Sequence, residues 1–178
     1  MKPVPEDGLA VVALGDVPLA AVEELLDAFG PGEHGPRDFA AALGYAGARG
    51  YVAFWSRLRA GPWPELGLVR TDSLVLLRGS RALGEVRLRH RVTPKLEIDG
   101  GHIGYEVRPD ERNRGYATLM LHAALARAAA AGIERALLTV RTDNVPSLRV
   151  VEKCGGVAFD EVPFGNGMHR RFWMATGA

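Results

Sequence analysis

The sequence predicts an α/β fold, a mixed sheet flanked by helices, and three observations carry that prediction. Apolar residues at 3.6-residue spacing mark the first third of the chain, and short strand-like runs bounded by turn residues begin at Ser73. A long alanine-rich helix then divides those runs into two groups. At 178 residues a single domain, 1–178, is expected, large enough for a hydrophobic core. Residues 1–65 read as a helical region and residues 73–175 as the sheet with its crossover.

Leu19, Val22, Leu25, Leu26 and Phe29 line one helix face, and Gly30-Pro31-Gly32 stops that helix. Phe39 to Leu43 forms a short second helix and Tyr51 to Leu58 a third, closed by Gly61-Pro62. Leu74 to Leu77 is a compact apolar strand, Gly79-Ser80 a turn, and Leu83 to His90 a second strand. There Gly84, Val86 and Leu88 alternate with Glu85, Arg87 and Arg89, which predicts one wet face. Thr93-Pro94 and Asp99-Gly100-Gly101 bracket a loop before the third strand, His102 to Val107. Pro109 cannot donate a ladder hydrogen bond, so that strand ends there.

Ala117, Met120, Leu121, Ala124, Leu125 and Ala128 give the next helix a continuous apolar stripe, with Gly132 as its stop. Arg135 to Val140 completes a strand–helix–strand unit, expected to be parallel and right-handed. Asn144 and Pro146 start a short helix that Gly155-Gly156 ends. Strands from Val157 to Val162 and Met168 to Met174 are joined by Phe164-Gly165-Asn166-Gly167, a hairpin signal.

Composition narrows the function classes. A formal net charge of +1 gives no reason to expect nucleic acid or an anionic membrane as partner. Arginine outnumbers lysine 19 to 3, which fits coding bias better than pervasive anion recognition. The single cysteine, Cys154, excludes an internal disulfide and reads as a small packed residue, since no activating base accompanies it. No run approaches the ~18 apolar residues that span a bilayer, and MKPVPEDGLA is unlike a secretion signal, so a cytoplasmic protein is expected. His34, His90, His122 and His169 show no metal-ligand spacing, and no metal is expected. Trp55, Trp63 and Trp173 read as core, with Phe54, Trp55 and Trp63 alternatively walling a substrate pocket. Glu33-His34, in a Gly/Pro-rich loop, is a further candidate for substrate contact.

The most informative stretch is GGHIGYEVRPDERNRGYATLML, residues 100–121. In it Arg112-x-x-Gly115-x-Ala117 lies between a strand end and a helix start. The N–H groups from about Asn113 to Thr118 are then free to converge on a pyrophosphate, helped by the helix dipole. Gly115 allows close backbone approach, Ala117 keeps a side chain out of the way, and Arg112 and Arg114 add charge. Alone, the pattern equally describes a plain solvated helix start; its placement is what raises it. The P-loop pattern Gly-x-x-x-x-Gly-Lys-[Ser/Thr] is missing, and no Gly-x-Gly-x-x-Gly follows a strand as a dinucleotide fold would want, since the match at Gly30 to Gly35 follows a helix.

From Ser73 onward the chain resembles the GCN5-related N-acetyltransferases (GNAT). Four segments carry the resemblance, in order: LGEVRLRH (83–90), HIGYEVRPDERNRGYAT (102–118), DNVPSLRVVEKCGG (143–156) and RRFW (170–173). The resemblance implies the GNAT fold and transfer of an acetyl group from acetyl-CoA to a primary amine of a small molecule or peptide. Transfer would go by direct attack in a ternary complex. Tyr105, Glu106 and Val107 would line the pantetheine arm. Arg112, Asn113, Arg114, Gly115, Tyr116, Ala117 and Thr118 would cradle the pyrophosphate. Asn144 and Ser147 would approach from the next helix, and the strands Tyr105–Val107 and Leu137–Val140 would splay around the thioester. The N-terminal helices would shape the acceptor pocket, and homodimers are frequent among lookalikes.

The chemistry makes three demands. The amine must be neutral, and a lysine-like amine with pKa near ~10.4 is only about 0.04% neutral at pH 7, so a base helps. The thioester oxygen gains charge that a backbone N–H near Val107 could stabilise. The departing thiolate needs a proton, supplied in many relatives by a tyrosine whose position here is Val151; Ser147, one turn earlier, is a weak acid. Candidate bases are His102, Tyr105 and Glu106, with Glu85 on the neighbouring strand. Alternation puts His102 and Glu106 on one face and Tyr105 on the other, unless a bulge inverts them. The plainer alternatives are a hydrogen-bonded strand end for His102, packing for Tyr105 and an ion pair with Arg108 or Arg87 for Glu106. The missing tyrosine also leaves open a non-catalytic acyl-CoA-binding protein, or a scaffold that no longer binds cofactor.

Overall fold

The alanine-rich stripe becomes the helix against which both halves of the sheet pack. In a computed structural model that describes residues 8–30 and 35–177, the elements run β1 (Leu9–Ala13), α1 (Leu19–Ala28), α2 (Gly35–Ala42), α3 (Gly47–Ala60), β2 (Thr71–Arg78), β3 (Arg81–Arg89), α4 (Pro94–Ile98) and β4 (Ile103–Val107). They continue with α5 (Tyr116–Ala130), β5 (Arg135–Arg141), α6 (Val145–Lys153), β6 (Val157–Phe164) and β7 (Gly167–Ala175). The α/β class expected from the sequence holds, with the crossover β4–α5–β5 at its centre.

The strands form two antiparallel groups, ordered β1-β2-β3-β4 and β5-β7-β6. No ladder joins β4 to β5 among the described residues, so the two groups part at the crossover. On the back face, α5 buries Met120, Leu121, Ala124 and Ala128 against Val86, Leu88, Leu138 and Phe172. On the front face of the first group, α1 and α3 bury Val22, Leu25, Phe54 and Leu58 with Val75 and Ala82. Thus β2 and β3 are covered on both sides.

That double cover overturns the expectation of a wet face on β3. Glu85 is 0% and Arg87 4% exposed. Alternation reports two chemically different faces, and α3 supplies polar partners that let the charged one be buried. The purely helical reading of 1–65 also needs correcting, because Leu9–Ala13 pairs antiparallel with Leu74–Arg78 as β1. Its run LAVVA does not alternate, so periodicity cannot tell it from a helix. The expected loop between Thr93 and Gly101 holds α4, where Thr93 Oγ1 accepts from the Leu96 N–H at 3.3 Å and Pro94 fills the first turn. Five residues are too few to show a helical period. Glu33 and His34 lie outside the described residues. No helix among the described residues is long and apolar enough to cross a membrane.

α5 approaches β3 closely at Gly84, where a Cβ would sit 2.6 Å from the Glu106 carbonyl oxygen and 2.9 Å from Met120 Cε. One of those neighbours is backbone and cannot yield cheaply. Gly84→Ala is therefore expected to lower unfolding free energy by about 1–3 kcal/mol, read from denaturant midpoints at unchanged m-value.

Candidate functional site

The segment after β4 turns its acidic side chains away and its amides outward. Pro109–Glu111 makes one 3-10 turn. Asp110 accepts from Arg108 Nε at 2.7 Å, and the buried Glu111 pairs with Arg81 at 3.1 Å and with Arg114 at 3.4 Å. Asn113 at φ 64° and Gly115 at φ 81° both take the left-handed region, which reverses the chain into α5. The first helical bond there is Leu119 N–H to Gly115 C=O, 3.1 Å. Among the described residues the N–H groups of 112–118 have no protein partner. Tyr116 packs inward beneath the Arg78 guanidinium, 5.3 Å from the ring centroid, and its hydroxyl accepts from Arg78. A Cβ at Gly115 would meet nothing within 4 Å. The turn is open, and its donors suit a diphosphate.

Ladder phase fixes what borders the gap between β4 and β5. Arg108 N–H donates to Leu83 C=O at 3.0 Å and Arg89 N–H to His102 C=O at 2.7 Å. With the continuous register of β3 on β4, Gly104 and Glu106 bond to β3, while Tyr105 and Val107 direct N–H and C=O the other way. Val107 C=O indeed accepts from Arg112 Nε at 3.3 Å. On β5, Thr142 N–H to Met168 C=O (3.0 Å) and Thr176 N–H to Glu134 C=O (3.2 Å) set the phase, so Leu137, Thr139 and Arg141 direct their amides toward β4. Leu137 is fully engaged by His102. Its C=O accepts the His102 N–H at 2.7 Å, and its N–H donates to His102 Nδ1 at 2.9 Å. Beyond that point no backbone bond crosses the gap among the described residues.

The three candidate bases meet different surroundings. His102 is 8% exposed; burial first, and the Arg89 charge second, pull its pKa below the usual value. Its Nδ1 lone pair is committed to Leu137, so the ring is neutral with the proton on Nε2, and it lacks the free lone pair a base needs. Tyr105 faces the back, where its hydroxyl donates to Ser147 C=O at 3.4 Å. Burial pushes this phenol up to about 12, against the Ser147 bond and with a smaller push from Cys154. Glu106 faces the front, 3.3 Å from Arg87 Nη2 and opposite Glu85. The register of β4 carries no shift, so the alternation read from sequence applies to Tyr105 and Glu106 without inversion.

Behind Glu106 lies a cluster that sequence reasoning missed in part. Glu85 accepts from the Tyr51 hydroxyl at 2.5 Å and from the Ser73 hydroxyl, and pairs with Arg87 at 3.3 Å. Arg87 lies 5.7 Å from the Trp55 ring. Burial would lower the Arg87 pKa, but Glu85, Tyr51 and Glu106 together raise it. Arg89 is lowered to about 10, by burial and then by Arg87, with Asp99 opposing. Tyr51 and Ser73 carry no motif; the charged alternation of β3 was the one available signal. Phe54 and Trp55 are buried in the front core, while Trp63 is half-buried.

On the other side of the gap, Asn144 caps α6, its Oδ1 accepting from Ser147 N–H at 3.3 Å. Val151 is fully buried. The structure thus brings together the open turn, the gap-facing edge of β4, Tyr105 and the first turn of α6. It separates Glu106 from Tyr105 onto opposite faces.

Comparisons with known proteins agree with the fold. A family model described as the acetyltransferase (GNAT) domain matches residues 47–157. In fold the chain is similar to a putative GNAT-family acetyltransferase from Bordetella pertussis, with TM-score 0.67, 19% identity, and coverage of 95% of this chain and 96% of that one. It is also similar to a putative acetyltransferase from Salmonella typhimurium solved with its cofactor acetyl-CoA, with TM-score 0.62, 13% identity, and coverage of 96% and 95%. A third is a ribosomal-protein-S5-alanine acetyltransferase from Vibrio fischeri, with TM-score 0.63, 14% identity, and coverage of 94% and 92%. No curated protein sequence matches the chain. At these identities the structural likeness speaks for fold alone, whereas the family model spans more than half of the sequence. The chain belongs to the GNAT acetyltransferase domain family.

Proposed function

We propose that this protein transfers the acetyl group of acetyl-CoA to a primary amine of a small molecule or peptide, by direct attack of the amine. The observation that carries the reading is the row of amides at 112–118 without a partner among the described residues, ending beside the parted strands β4 and β5. Family membership supplies the reaction class. Acetyl-CoA, when bound, supplies a thioester whose acetyl group the amine accepts.

The chain's own residues divide the work. The amides around Gly115, with Arg112 and Arg114, hold the pyrophosphate. The gap-facing edge of β4 at Tyr105 and Val107 pairs with the pantetheine amides, and the Val107 N–H steadies the carbonyl oxygen as charge builds on it. Glu106 takes the proton of the attacking amine. It is half-exposed and borders the front side, and the buried Glu85 and Arg87 fix its surroundings. Tyr105, whose hydroxyl reaches α6 at Ser147, one turn before the position where relatives carry a tyrosine, turns its O–H from the Ser147 carbonyl to the departing sulfur.

Calorimetric titration with CoA is expected to show binding by the wild-type protein. Gly115→Glu should weaken it at least about 100-fold, equivalent to about 2.7 kcal/mol, by filling and charging the open turn. The strain of a side chain at φ 81° should lower stability by about 1–2 kcal/mol while leaving the circular dichroism spectrum unchanged. Unaltered affinity in that variant would count against the site. Binding without turnover of any amine would favour the acyl-CoA-binding reading that Val151 suggests.

Two kinetic predictions follow from the assigned roles. Tyr105→Phe should lower kcat by about 10- to 100-fold with CoA affinity retained. Glu106→Gln should lower kcat/KM by about 100-fold near neutral pH. That deficit should shrink as pH approaches the amine's own pKa, where the acceptor is already neutral; a deficit independent of pH would remove Glu106 as the base.

A further inference from the structure

We infer that His102 is a positioning residue, whose imidazole pins β4 to β5 at their last rung and so fixes where the cofactor gap begins. The inference rests on the acetyl-CoA reading for its consequence, and on backbone geometry for its cause. In a parallel ladder the N–H and C=O of one residue bond to two different residues of the neighbouring strand. At Leu137 both bonds go to one residue, the C=O accepting from the backbone N–H of His102 and the N–H donating to its side chain. The imidazole nitrogen therefore occupies the place of the Gly100 carbonyl, which accepts from Arg89 Nη1 instead, and the His102 carbonyl that would have carried the ladder on to Thr139 accepts from the Arg89 N–H. With the last rung pinned at Leu137 and the His102 carbonyl committed to β3, β4 is free to leave β5.

The preceding residues are shaped for the same junction. Gly101 takes φ 53°, and a Cβ there would stand 2.4 Å from the Leu137 carbonyl oxygen. Gly100 N–H donates to Thr139 Oγ1 at 2.8 Å, so the chain folds back along β5 before His102 meets Leu137. From Ile103 onward β4 pairs only with β3. Tyr105 and Val107 are thus left with their gap-facing amides available.

The pin requires a neutral ring. A proton on Nδ1 would set two donors face to face at Leu137. The charged neighbour of the ring is Arg89 on β3, which opposes the cation; Asp99, after α4, acts on Arg89, and β5 meets the ring through the Leu137 backbone. The ordinary histidine value near 6.5 is lowered by the fold. The unfolded chain therefore takes up the proton first as pH falls. Stability from the pin is complete above that ordinary value and is lost as pH drops through the lower folded value. CoA affinity should fall as pH drops through the lower folded value.

The test compares wild type, His102→Leu and His102→Asn by calorimetric titration with CoA at pH 7.5 and at lower pH. Nitrogen NMR of the wild-type imidazole accompanies it. Asn places an oxygen acceptor near the position of Nδ1 and does not titrate. Expected are an Nε2–H tautomer at pH 7.5 and CoA binding weakened at least about tenfold in His102→Leu. His102→Asn should bind close to wild type, and its affinity should lack the acid-side loss. If His102→Leu does not fold, the contrast in acid-side loss between wild type and His102→Asn still decides. A proton found on Nδ1 at pH 7.5, or CoA affinity indifferent to all three residues and to pH, overturns the inference. Failure of the wild-type protein to bind CoA is a separate result, visible before any variant is compared, and overturns the acetyl-CoA reading itself.

Discussion

Every backbone N–H and C=O in a protein must find a partner, and the junction of β4 with β5 is where this requirement shapes the molecule. A strand edge left open in the middle of a fold is costly unless something pairs with it. Here Leu137 is satisfied by His102, and past it the facing edges of Tyr105, Val107, Thr139 and Arg141 are held apart by their own sheets. Neither strand can turn its amides elsewhere, because the opposite edge of each is committed to a neighbour. Close packing of α5 on Gly84 and of Gly101 on Leu137 makes the parting rigid. A ligand with amides of its own, such as the pantetheine arm, is the natural occupant of two such edges.

The front face poses the opposite problem, since it buries charge. Glu85 and Arg87 on adjacent positions of β3 would be expensive to desolvate singly. They are kept because α3 brings the Tyr51 hydroxyl, β2 brings the Ser73 hydroxyl, and Glu106 from β4 shares the guanidinium. Two carboxylates around one arginine leave the cluster with a negative excess at Glu106, the member closest to solvent. In the proposed reaction an approaching ammonium is drawn there, and a carboxylate with a fixed position is better suited to remove its proton than one on a freely rotating surface side chain.

Much of this was legible in the sequence, for identifiable reasons. The stripe of α5, the Asn144 cap of α6 and the Gly165-Asn166 hairpin are local signals, each decided by residues within one turn or one loop, and each is present. The turn at 112–115 was legible because glycine and proline punctuate it. Burial of Glu85 and Arg87 was not, because it depends on α3, more than 25 residues away in sequence, arriving over β3. The strand at Leu9–Ala13 was missed because five apolar residues have no period to read. The duty of His102 was hidden for a subtler reason. Its partner is a backbone amide, Leu137 N–H, and backbone partners leave no trace in residue identity.

The placement of Tyr105 bears on how the absent tyrosine of α6 can be done without. Val151 is fully buried, and its Cγ1 stands where a Cβ on Gly156 would be only 2.5 Å away, so this turn of α6 is packed against the chain that follows. Tyr105 arrives at the same helix from β4, meeting Ser147 four residues earlier, on the α6 face shared by Val151. A phenol held up at about 12 cannot surrender its proton outright to a thiolate whose acid has a pKa near ~8.5. It can donate a hydrogen bond to the sulfur as charge develops, and its high pKa ensures that it stays protonated throughout. The proton that finally reaches the thiol must then originate elsewhere, and the attacking amine releases one in the same reaction. In the proposed reaction the front carboxylate and the back phenol are therefore complementary. Glu106 takes the amine proton and Tyr105 steadies the sulfur until a proton returns, so the chemistry does not require a strong acid at position 151.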